Sequence, residues 1–137
     1  MIVFIDSNII LDVMLPNPQF YEESDSVLSS SLQDYDLYIS AASITDIFYV
    51  ARKSFDSVEK TKQAILNLLK VVSVAGVDES CIYNALNSDW KDFEDSVQHQ
   101  IAQQINADLI VTRNSSDYSH STVRVMSPRE YLTFIAK

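Results

Sequence analysis

The opening stretch MIVFIDSNII (residues 1–10) decides how the rest of the chain is read. Ile2 to Ile5 is an unbroken apolar run of β-branched and aromatic residues, the pattern of a short strand covered on both faces. Asp6 interrupts it at once, and residues 8–14 carry a helical periodicity that Pro16 brings to an end. A strand that leaves an acid at its carboxyl end and turns straight into a helix is the first half of a βα unit. A charge in that position has no evident partner at the surface of a buried sheet, so Asp6 is expected to line a pocket.

Outward from this stretch, β-branched runs alternate with helical periodicities, which is how an α/β domain with a parallel sheet reads. Helices are expected over residues 20–32, 44–53, 57–70 and 79–86 and from Asp92 onward, and strands over 37–40, 71–75, 109–112 and 123–126. Ser43 is the expected N-cap of the 44–53 helix, which places Asp46 in its first turn. Val97, Ile101 and Ile105 recur every four residues and define a buried stripe that leaves Asp92 and Asp95 to one side. Ser127-Pro128-Arg129-Glu130 spells a cap, a first-position proline and a third-position glutamate, and opens the last helix.

The 137 residues suit one domain spanning 1–137, and 47% apolar residues supply a core. The amino terminus has no basic segment followed by a long apolar run, so neither a signal peptide nor a membrane span is expected, and the reading places the chain in the cytoplasm. One cysteine, Cys81, allows no internal disulfide, and with two histidines it makes a structural zinc site improbable. A net charge of -9 argues against a broad basic face for nucleic acid. Cations held by converging carboxylates would cancel part of that charge where a phosphate must approach.

The candidate chemistry lies in four segments that set an Asp beside a strand end or a helix start: FIDSN, SITDI, DFED and TRNSSDY. In an open α/β sheet ligands collect outside the carboxyl ends of the strands, so Asp6 and Asp117 are expected to face one pocket, with Asp46 and Asp95 approaching from helix ends. Two carboxylates about 4 Å apart repel by roughly 4 kcal/mol at an effective dielectric near 20, and four cannot stay ionised together without a cation. Magnesium or manganese suits an all-oxygen set, and phosphodiester hydrolysis by metal-activated water is the reaction that fits such a centre.

These residues resemble the PIN-domain family, including its VapC-like toxin ribonucleases. The likeness rests on the first strand with Asp6-Ser7-Asn8, the run Asp92-Phe93-Glu94-Asp95 opening a helix, and the late strand followed by Thr112-Arg113-Asn114 and then Asp117-Tyr118. It extends over essentially the whole chain. The resemblance implies a three-layer α/β/α sandwich with a mainly parallel sheet of four to five strands, Mg2+ or Mn2+ in an acidic pocket, and endonucleolytic cleavage of RNA. By position it makes Asp6, Asp46, Asp95 and Asp117 the four acids, with Asp92 a further candidate ligand and Asn8, Thr112 and Asn114 polar supports. Asp46 stands where the family often has the longer Glu. An antitoxin partner, an arginine supplied by it to the pocket, and a homodimer are further implications.

Each acid also has a plainer reading: Asp46, Asp92 or Asp95 as helix caps, Asp117 in an Asx-turn, Glu94 solvated, Asp12 solvated or ion-paired. Arg113, Arg52 and Lys53 neighbour the acidic segments and are the candidate phosphate contacts. Tyr118 and Phe20 are expected in the core sooner than stacked on bases, and His99 and His120 on the surface. Two rival readings stand beside the nuclease. A receiver-like magnesium-binding signalling domain would need a lysine after a late strand, where Thr112-Arg113-Asn114 is found. The other rival is a non-catalytic PIN-like interaction module.

Overall fold

The structure, a computed structural model, describes residues 1–136. Five strands, β1 (Ile2–Ile5), β2 (Asp36–Ser40), β3 (Ser73–Ala75), β4 (Leu109–Val111) and β5 (Arg124–Met126), form one sheet in the order β3-β2-β1-β4-β5. Every neighbouring pair is parallel. The apolar run that opens the chain is the central strand, pairing Val3 with Leu37 on one side and with Leu109 on the other. Receiver domains follow the order 2-1-3-4-5, with strand three in the middle. The order found here removes the receiver alternative.

Seven α-helices are present among the described residues: α1 (Ser7–Met14), α2 (Tyr21–Ser29), α3 (Ala41–Arg52), α4 (Val58–Leu68), α5 (Glu79–Leu86), α6 (Phe93–Gln104) and α7 (Pro128–Ile135). They cover both faces, as alternation along the strands requires. Val3, Ile5, Leu109, Val111 and Met126 enter one core with Ile10 of α1, Val27 of α2, Ile47 of α3, Ile65 of α4 and Tyr131 of α7. Phe4 and Ile110 point the other way, into a second core with Cys81 of α5 and Val97 and Ile101 of α6. The result is the expected α/β/α sandwich. No helix among the described residues is long and apolar enough to cross a membrane.

Three of the boundaries that differ from the sequence reading have a clear local cause. Helix α3 starts earlier: Ser40, not Ser43, accepts the capping hydrogen bond from the Ala42 amide at 3.1 Å, so Asp46 sits in the second turn. The third strand is shorter than 71–75 because the Val71 and Val72 amides both bond back to the Leu68 carbonyl, completing α4 instead of joining the sheet. The helix expected over 20–32 tightens after Ser29 into a 3-10 turn (Ser30–Gln33). There Ser30 donates to the Val27 carbonyl at 2.6 Å and meets the Tyr131 hydroxyl at 2.8 Å.

Tyr131 is fully buried and ties α7 to the end of α2 through that hydroxyl. Removing the hydroxyl in Tyr131→Phe is expected to cost about 1 kcal/mol, and truncation to Ala about 3 to 5 kcal/mol, in urea unfolding curves of unchanged slope.

Candidate active site

After β1 the chain fills the sheet on one side with β2 and β3, then returns to the other side of β1 as β4 and β5. The junction of β1 and β4 is therefore the topological switch point, where the strand ends leave an open crevice. Asp6 and Thr112, the residues that follow those two strands, meet there. The Asp6 amide extends the ladder by bonding the Val111 carbonyl at 3.0 Å, and the Thr112 hydroxyl donates to Asp6 Oδ2 at 2.7 Å.

Asp6 is 95% buried, and a polar group so placed needs hydrogen-bond partners. Asn8 Nδ2 reaches Oδ2 at 3.3 Å, while Ser7 Oγ and Gln98 Nε2 reach Oδ1 at 3.5 Å each. Asn8, a candidate polar support in the sequence, thus touches Asp6. Asn114 touches Thr112 instead, through its backbone, its amide donating to Thr112 Oγ1 at 3.1 Å, with its own side chain exposed.

Helix α6 brings the next acids. Asp92 is its N-cap, accepting from the Asp95 amide at 2.9 Å, and Asp95 is the third helical residue, as the sequence predicts. Half-buried Asp95 accepts a hydrogen bond from the Tyr118 hydroxyl at 3.3 Å. Its burial, followed by the charges of Asp92 and Asp6 and, less strongly, Asp117, pushes its carboxyl up to about 7 against the opposing pull of Tyr118. Burial and the charges of Asp6 and Asp95 hold the Tyr118 hydroxyl far above its ordinary value, so it stays a donor.

Asp117 lies exposed in the 3-10 turn Ser115–Tyr118. Asp46 and Glu94 line a mostly apolar cavity of about 170 Å³ together with Val77, Ile82 and Val97. Glu94 is exposed, and partial burial and then the charges of Asp46, Asp92 and Asp6 raise its pKa.

Asp6, Asp92, Asp95 and Asp117 press on one another electrostatically, yet among the described residues no three Asp, Glu, His or Cys side chains converge closely enough to hold an ion. The donor chemistry nevertheless fits a hard cation, since every group is an oxygen. Moreover, the buried Asn8 Oδ1 and Gln98 Oε1, on the two amides that grip Asp6, have no donor. Asp92 and Asp117 are exposed and Asp95 is half-buried.

The basic residues lie elsewhere than expected. Arg113 does not reach out toward a phosphate: its Nε and Nη2 grip Asp12 at 2.9 and 3.2 Å, and its guanidinium lies 4.0 Å over the Phe20 ring. Asp12 is 97% buried in α1 and also accepts from Ser24 at 2.9 Å, so it is ion-paired, not solvated. Arg52 and Lys53 sit at the far end of α3, about 18 Å from its amino end by helical rise, where Arg52 bonds the Phe55 carbonyl and Lys53 lies over Tyr49.

His99, expected at the surface, is buried beneath Trp90, with its Nε2 accepting from the Thr122 amide at 3.1 Å. Burial lowers its pKa. Sequence reasoning missed Gln98 and Tyr118 as partners of the acids. The signal for Gln98 was its place three residues after Asp95 on one helical face; that for Tyr118 was adjacency to Asp117.

Because the carboxyl of Asp95 binds its proton more tightly folded than unfolded, its contribution is fully present near pH 4 and is lost as pH rises to about 7. With EDTA present, Asp95→Asn should match the parent in Tm near pH 4 and exceed it by a few degrees at pH 8; a constant gap across that range would contradict the assignment.

The sequence and fold were compared with those of known proteins. Residues 2–116 match the family model described as PIN domain. Over 137 aligned residues the chain is 25% identical to Ribonuclease VapC1 of Aquifex aeolicus (strain VF5), covering 94% of this chain and 92% of that one. Its fold is similar to VapBC2 from Rickettsia felis bound to a DNA fragment from their promoter, with a TM-score of 0.70 at 14% identity over 93% of this chain and 98% of that one. It is also similar to a toxin-antitoxin complex from Klebsiella pneumoniae, with a TM-score of 0.70 at 18% identity over 92% and 97%. With the acid at the β1–β4 switch point and a family match over most of its length, the chain belongs to the PIN domain family.

Proposed function

We propose that this protein is a magnesium- or manganese-dependent endoribonuclease acting in the cytoplasm as the toxin of a toxin–antitoxin pair. The observation that carries this reading is the buried Asp6 carboxylate at the switch point, close to an Asp95 whose proton affinity burial and then the neighbouring acids have raised. The ribonuclease name of the Aquifex relative and the toxin–antitoxin origin of the Klebsiella fold support it.

Asp6 and Asp95 are the principal ligands in this reading, with Asp117 and the Asp92 oxygen not used for capping completing the set. Asp46, which lines a cavity with Glu94, acts at longer range, through water. A bound cation would supply an activated water and screen the charge of the scissile phosphate. Thr112, Asn8 and Gln98 fix the direction of Asp6, and Tyr118 holds Asp95. The proton on Asp95 has to leave before that residue can bind a cation, so cation affinity rises with pH through about 7. With Arg113 engaged by Asp12 and a net charge of -9, the cations serve RNA binding as well as chemistry. A basic antitoxin complements the acidic crevice in the same way, and assembly as a homodimer is part of the reading.

The test is cleavage of a mixed RNA pool with Mn2+, with EDTA, and by variants. Asp6→Asn and Asp95→Asn should each lose about 100-fold or more in rate. Asp92→Asn should lose less, about 3- to 10-fold, because Asn caps a helix as well as Asp does. An Asp6→Asn protein that cuts as fast as the parent would sink the metal-centre reading, and equally mild losses at Asp95 and Asp92 would overturn the ranking.

A further inference from the structure

The site has a second wall that the acids do not explain. Between the loop before α6 and the 3-10 turn after β4 lies a recess of about 350 Å³ lined by Trp90, Lys91, Asp92, Ser116, Asp117 and His120, among others. Two of these residues, Asp92 and Asp117, belong to the acidic cluster, so the recess opens directly onto it.

Trp90, the only tryptophan, is held rigidly. His99 stacks on its ring at 4.9 Å with planes 27° apart, and Tyr118 meets it edge-on at 5.4 Å and 87°. Neither His99 nor Tyr118 lines the recess, whereas Trp90 does. His120 stands across it, exposed, with its ring centroid 6.4 Å from that of Trp90 and tilted by 53°. A flat base between two rings needs about 7 Å, twice the spacing of stacked bases. Rotation of one exposed histidine provides it, on the fast timescale of surface side chains. The Lys91 ammonium and the Ser116 and Ser119 hydroxyls supply donors at the edges.

We infer that this recess takes a single nucleobase of the RNA, stacked on Trp90 and covered by His120, next to the phosphodiester bond at the acidic centre. The inference rests on the nuclease reading. Trp90 and His120 are then the specificity-determining residues: stacking fixes which nucleotide flanks the cut, while the acids act on the phosphate. Packing of Trp90 over His99 explains why an aromatic ring is pre-positioned in a loop that carries no strand or helix of its own.

The single indole N–H gives one resonance in a 15N-labelled sample of the full chain. With Mg2+ present, adenosine, guanosine, cytidine and uridine are titrated separately to millimolar concentration, since nucleosides have no phosphodiester to cut. At least one is expected to shift that resonance saturably, and His120→Ala should raise its apparent Kd fivefold or more. An oligoribonucleotide carrying the preferred base should bind at least tenfold more tightly than the nucleoside; equal affinities would point to a site for free nucleosides and overturn the RNA assignment. No shift with any nucleoside, or an unchanged Kd in His120→Ala, also overturns it. Asp6→Asn separates the two proposals, because it should stop cleavage and keep the shift. RNA cleavage without a shift leaves the nuclease and removes the recess, and a shift without cleavage does the reverse.

Discussion

A 2.7 Å hydrogen bond from Thr112 to Asp6 holds the acidic centre together. It joins the residues that follow the two central strands, at the point where the sheet reverses its order of assembly. Without a donor at that position the Asp6 carboxylate would be a buried charge facing apolar strand ends, a situation that costs several kcal/mol and is relieved in practice by taking up a proton. Thr112, Asn8 and Gln98 surround the Asp6 carboxylate with donors, and its field is felt by its neighbours.

That field organises the rest. Each further acid is accommodated differently: Asp92 by capping α6, Asp95 by the Tyr118 hydroxyl and a proton held to about 7, Asp117 by exposure to water. Arg113, which follows Thr112 directly, is drawn off to Asp12 and Phe20. A side chain bidentate to a buried carboxylate and stacked on an aromatic ring is fixed in place. The same clamp anchors the Thr112 loop to α1, so the site's geometry is braced from behind by the one ion pair in its vicinity that does not face the substrate side.

Much of this was legible in the residues. The apolar run at 2–5 told its burial on both faces, the Val97, Ile101 and Ile105 stripe set the phase of α6, and that phase placed Asp92 at the cap and Asp95 at the third position. What was not legible depended on partners distant in sequence. Arg113 looked available because nothing local shows that Asp12, 101 residues earlier, turns inward from α1. His99 looked like a surface residue because its cover, Trp90, comes from a loop. The cap of α3 was misplaced by three residues because Ser40 and Ser43 are equally good caps in isolation, and only the end of β2 selects the first.

The same dependence on distant partners has a bearing on the life of the chain before it is complete. Asp6 and Thr112 are 106 positions apart, and the neighbouring strands that unite them, β1 and β4, are made first and nearly last. Closing so long a loop is slow and is rewarded only when both strands are in hand. During synthesis β1 emerges early and waits, and the acids stay scattered along an open chain until β4 has left the ribosome. An incomplete chain therefore has no acidic centre, whatever cations surround it.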